Sequence, residues 1–124
     1  YIFSTVDTWT DNQCRTYTCE TYAFVDATWN MRVISPYCQL HDGAATGNDL
    51  ATFVEKLATN HNLIGRMVAP VTDCEPAMVK AGHILNENMV VDHVGCAAHR
   101  LQSSAGKVFT GSTMIEVLGR CRRL

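Results

Sequence analysis

Residues 1–35, YIFSTVDTWTDNQCRTYTCETYAFVDATWNMRVIS, decide the fold class. Residues 1–7 form an apolar, β-branched run that reads as a strand ending at Asp7. Residues 14–25 alternate and are rich in Thr, Tyr, Cys and Val, side chains that suit a pleated, half-buried surface, so they predict a long second strand. Asp26-Ala27-Thr28 reads as a turn, and residues 29–35 as a third strand. That strand continues to Leu40 only if it passes a break at Pro36, which has no N–H for a ladder. Three consecutive strands on short connections make an antiparallel meander.

Beyond His41-Asp42-Gly43 the period changes from two to 3.6. Leu50, Phe53, Val54 and Leu57 fall on one helical face, and Thr46 with Asp49 forms a capping box at its start. Met67-Val68-Ala69-Pro70-Val71 reads as a buried strand running to Asp73, with Pro70 as its weak point. Pro76 suits the first turn of a helix that carries Met78, Ala81, Gly82 and Leu85 on one face and stops at Asn86-Glu87-Asn88. A short strand over residues 90–94 follows, then a helix with Ala98, Leu101, Ala105 and Val108 on one side. Thr113 and Glu116 cap a last helix lined by Met114, Val117, Leu118, Cys121 and Leu124. The order β-β-β-α-β-α-β-α-α predicts an α/β protein: a mixed sheet with helices packed on it.

The chain has 124 residues, 47% of them hydrophobic and 18% charged, which is globular composition for one domain or part of one. Tyr1-Ile2-Phe3 already reads as strand interior and Leu124 sits on an unterminated helix face, so the expectation is a fragment. A net charge of -2 argues against an autonomous nucleic-acid-binding module, because phosphate affinity comes from clustered Lys and Arg. Arg120, Arg122 and Arg123 are the one basic cluster; phosphate contact is one reading of it, and a solvated helix face the plainer and preferred one. The six cysteines read as free thiols in a reducing compartment, and no apolar run approaches membrane-spanning length.

Asp7 and Asp73 each close an apolar strand, and strand ends are where open α/β sheets place their ligands. If the two strands are neighbours, the carboxylates repel unless a cation lies between them. Hard oxygen donors favour magnesium or manganese, and paired divalent ions are a recurring device for in-line phosphoryl transfer. Each aspartate taken singly fits an ordinary role as turn former or helix N-cap, Asp73 before Pro76 especially.

An ordered set of segments resembles the catalytic domain of hAT-family DNA transposases, in particular members with BED zinc fingers and their domesticated relatives. Thr5-Val6-Asp7-Thr8-Trp9-Thr10-Asp11-Asn12 is similar to the segment around the family's first catalytic aspartate, and Val71-Thr72-Asp73-Cys74-Glu75-Pro76-Ala77-Met78-Val79-Lys80-Ala81 to that around the second. Gly95-Cys96-Ala97-Ala98-His99-Arg100-Leu101 resembles the Cys-x-x-His segment, and Cys38-Gln39-Leu40-His41 and Leu50-Ala51-Thr52-Phe53-Val54-Glu55-Lys56-Leu57 are also similar. The chain departs from the family pattern at Val6, Pro70 and Cys74, and in a longer stretch from Asn86 to Asp92.

The resemblance implies a ribonuclease-H-like core, truncated before an insertion domain. It implies Asp7 and Asp73 as catalytic, metal-binding residues for Mg or Mn, with a third acid, a glutamate, on a later helix. It implies DNA as the partner, self-association through other regions, and a nuclear protein. The parent activity it implies is metal-dependent DNA strand cleavage and transfer, with this segment alone inactive. The rival readings are a domesticated, non-catalytic DNA-binding or transcription-regulatory protein, and a nuclease sharing the fold. Cys96 and His99 support the active site on the family reading, and pack or cap a helix on the plainer one. Cys-x-x-His is also half of a zinc site by spacing, but His93 and Cys74 are only loose candidates for the remaining ligands, so structural zinc is not expected. Trp9 reads as a rim or supporting aromatic, Trp29 as hairpin packing, and Met31, Met67, Met78, Met89 and Met114 as core.

Overall fold

The computed structural model describes residues 1–41 and 44–109, so the expected last helix with Thr113 and Glu116 lies outside the described residues, as do Arg120, Arg122 and Arg123. The elements are β1 (Ile2–Thr10), β2 (Thr16–Val25), β3 (Met31–His41), α1 (Gly47–Asn60), β4 (Met67–Thr72), α2 (Pro76–Met89), β5 (Val94–Gly95) and α3 (Ala97–Phe109). The sheet order is β3-β2-β1-β4-β5. β1, β2 and β3 pair antiparallel, and β4 and β5 add in parallel. The fold is thus the expected α/β mixed sheet: a meander, then alternating helices and strands.

Alternation sorts the sheet into two faces. Ser4, Val6, Thr18, Glu20 and Tyr22 point to one face and are buried. There α1 and α2 supply Leu50, Phe53, Val54, Leu57, Met78 and Leu85, which close a single apolar core with Val6, Tyr22 and Met67. The capping box at Thr46 and Asp49 is present, and Pro76 occupies the first turn of α2. The opposite face exposes Phe3, Trp9, Val25, Met31, Val33 and Leu40.

Several boundaries differ from the sequence reading, each for a local reason. β1 does not end at Asp7 but runs to Thr10, because β2 continues to pair with it through Trp9↔Tyr17 and Thr10↔Thr16. Cys14, expected inside the second strand, has φ 60 and belongs to the turn before β2. β3 passes Pro36, where the register with β2 slips between Glu20 and Tyr22; an edge strand tolerates both the proline and the bulge. At Pro70, β4 has no β5 partner, since β5 pairs only with Val71 and Thr72, so no bond is lost on that side. α2 continues through Asn86-Glu87-Asn88 to a left-handed cap at Val90, which turns Val91 into the core. The following strand shrinks to two residues. Met31 is 72% exposed and Trp29 is 89% exposed, so neither packs as expected. Leu101 of α3 is 70% exposed, so the expected apolar face of that helix is open at this position.

No helix among the described residues is long and apolar enough to cross a membrane.

Candidate functional site

The sheet forks at Val6↔Thr72, the last parallel pair of β1 and β4. Beyond it β1 stays with β2, while β4 breaks away toward α2. Asp7 and Asp73 are the next residue on each branch. Parallel neighbours lie about 4.8 Å apart and present side chains to the same face at matched register. Asp7 and Asp73 thus leave the last parallel pair side by side on the chain's two branches, 66 residues apart in sequence by their numbers. Both line a cleft of about 370 Å³, whose walls also include Thr72, Cys96, His99 and Gln102.

Each carboxylate has one oxygen committed to its own backbone. The Thr8 N–H donates to Asp7 Oδ1 at 3.0 Å, and the Glu75 N–H donates to Asp73 Oδ1 at 2.9 Å. The second is a turn that launches α2, so the plainer role expected of Asp73 is real and coexists with its place in the cleft. Among the described residues no side chain pairs with the remaining oxygen of either group. Two uncommitted hard oxygens on one cleft fit a divalent cation of the magnesium class. They do not complete a site, since the described residues contain no group of three or more His, Cys, Asp or Glu able to hold a metal ion.

Cys96 and His99 enter the cleft from α3. Cys96 is the residue before its first turn: its carbonyl accepts from the Arg100 N–H at 3.1 Å, and its N–H donates to the Thr72 carbonyl at 2.6 Å. The start of α3 is thereby bound to the end of β4, and His99 follows on the first turn. Trp9 is on the Asp7 face but does not line the cleft. It stacks on Tyr17, with centroids 5.7 Å apart and planes at 17°, and is a rim aromatic of the hairpin.

Gln102 lines the cleft without any motif to announce it, and neither the place of Thr72 in the wall nor its contact with His93 behind it was legible in sequence. The Thr72–His93 contact spans 21 positions and depends on how α2 returns the chain to the sheet. A larger cleft of about 610 Å³ lies at the other end of β1, lined by Tyr1, Phe3, Phe24, Trp29 and Met31. Its one carboxylate, Asp26, is consumed by the turn and by Arg32 at 2.7 Å, so it offers apolar volume without a reactive group.

No protein-family model and no curated protein matches the chain. Among solved structures it is similar to the HTLV-2 integrase catalytic core domain in complex with magnesium (dimeric form), at a TM-score of 0.43 and 13% identity over 98% of this chain and 74% of that chain.

Proposed function

We propose that the chain belongs to a hAT-like transposase catalytic domain, acting on DNA in the nucleus, with a third acidic residue supplied from outside residues 1–109. The observation that carries the reading is the placement of Asp7 and Asp73 on one cleft, each with an uncommitted oxygen. The ordered resemblance of the segments around them to hAT transposases supports the same reading.

In this reading Asp7 and Asp73 hold a divalent cation, which when bound supplies an activated water and neutralises charge on the reacting phosphoryl group. The chain's own residues position the substrate. The first-turn N–H groups of α3 carry the positive end of the helix dipole and face an approaching phosphate, and His99 and Gln102 add side-chain donors. The net charge of -2 leaves most DNA affinity and any self-association to regions outside this segment.

The test is manganese binding to the soluble chain, followed by the electron paramagnetic resonance of the free ion. The wild type is expected to bind weakly, and Asp7→Asn and Asp73→Asn each to weaken binding by roughly tenfold, about 1.4 kcal/mol. Unchanged binding in both variants would overturn the assignment. A second reading is a domesticated non-catalytic DNA-binding or regulatory protein, which loss of the later glutamate would favour. Manganese-dependent strand cleavage by the full-length parent separates the two.

A further inference from the structure

We propose that His93 is a positioning residue for Asp73, acting through the Thr72 hydroxyl, and that position 82 is glycine to seat the His93 ring. The inference rests on the metal-site reading above and adds a residue to it.

Thr72 is the last residue of β4 and is buried. Its hydroxyl is 2.8 Å from the Asp73 carbonyl oxygen and 2.7 Å from His93 Nε2. A threonine hydroxyl has one proton, and a carbonyl can only accept. Both contacts are satisfied when Thr72 donates to the Asp73 carbonyl and His93 Nε2–H donates to Thr72. The chain of donors thus runs His93 to Thr72 to the Asp73 backbone. It fixes the peptide group on the C-terminal side of the Asp73 Cα, while the Glu75 N–H fixes Oδ1 of its side chain. The remaining oxygen is aimed by these two restraints together.

Gly82 secures the other end. A Cβ at this position would lie 2.4 Å from His93 Cγ, 2.7 Å from its Cβ and 2.8 Å from Cδ2. The ring therefore lies directly against the backbone of α2, closer than any other residue at position 82 would allow. Burial, with His83 nearby, holds the His93 imidazole below its ordinary value, which agrees with a neutral ring carrying a single N–H.

The experiment repeats the manganese titration on Thr72→Val, Thr72→Ser, His93→Ala, His93→Gln and Gly82→Ala, with thermal unfolding of each. Imidazole nitrogen shifts of the wild type are read in parallel. Losing the relay in Thr72→Val or His93→Ala should weaken manganese binding about threefold to tenfold, at or below the bottom of the roughly 10–100-fold range for residues behind a metal ligand, because the relay acts through the Asp73 backbone and not on its carboxylate. Thr72→Ser and His93→Gln keep a donor at the same place and should stay within about twofold. Gly82→Ala should reproduce His93→Ala. The wild-type ring should show the Nε2–H form.

If Asp73→Asn weakens binding while Thr72→Val and His93→Ala leave it unchanged, this inference fails and the site reading stands. If neither Asp7→Asn nor Asp73→Asn has an effect, the site reading fails and takes this one with it. An Nδ1–H ring, or Ser and Gln variants that bind as poorly as Val and Ala, overturns the relay. Should His93→Ala fail to fold, the near-isosteric Thr72→Val decides alone.

Discussion

Glu20 is the residue whose position is hardest to reconcile with its chemistry. It points from β2 into the helix-covered core and is 0% exposed. Tyr22 donates to its Oε2 at 3.2 Å, and Oε1 has no partner among the described residues. Burial pushes its carboxyl up to about 7, against an ordinary 4.5. Between those two values the folded chain holds a proton that the unfolded chain has released. Stability from this group is therefore complete below pH 4.5 and declines as pH rises toward 7, after which the loss is constant. Asp11 and Asp26, held at about 2 by hydrogen bonds that include Arg15 and Arg32, titrate below this window and do not confuse it. Glu20→Gln removes the ionisable group at almost constant volume. The variant should be more stable than wild type at pH 8 by roughly 1–3 kcal/mol and nearly equal to it at pH 4.5. Urea unfolding at the two pH values measures this. A difference that does not change with pH would show that Glu20 stays charged in the core.

At the scale of elements, the two hairpin turns of the meander use the same device. Asp11 Oδ1 accepts the N–H groups of Gln13 and Arg15, and Asp26 Oδ1 accepts those of Thr28 and Asn30. Each turn then needs one residue in the left-handed region, Cys14 at φ 60 and Trp29 at φ 63. For a tryptophan this conformation costs about 1–2 kcal/mol, with little burial to offset it at 89% exposure. Trp29→Gly should raise stability by roughly 0.5–1 kcal/mol after the glycine's own entropy cost. Equal or lower stability in a denaturant midpoint comparison would mean that the indole packs usefully in solution. Asp26 was readable in sequence as a turn residue, Asp11 was not, and the left-handed positions were not legible, since neither is Gly or Asn. The same division holds along the chain. Element type was legible wherever a period of two or 3.6 persisted, as in β2 and α1. Boundaries were not, because β1 ends where β2 stops pairing and α2 ends where Val91 finds the core, and both depend on partners distant in sequence.

At the scale of the whole molecule, the candidate site joins parts held with unequal strength. Its carboxylates stand on β1 and beyond β4, central strands that the core packs against. That pairing could be anticipated only on the assumption that the two strands are neighbours, since nothing local in either segment encodes a partner 66 residues away. The other wall is the first turn of α3, tied to the sheet through the Cys96–Thr72 backbone bond and carrying an exposed Leu101. Helices with few buried apolar contacts open at a small fraction of the global unfolding free energy. Backbone amides of α3 should then exchange with solvent at least about tenfold faster than those of β1 and β4, under conditions where the core exchanges only by global unfolding. Equal protection across the three elements would show that α3 is held as firmly as the core. With the expected hierarchy, Asp7 and Asp73 form a fixed wall and His99 and Gln102 an adjustable one. Manganese should then protect the segment around Asp73 while leaving α3 exchange nearly unchanged. A phosphate-bearing ligand that reaches the helix start should slow α3 itself.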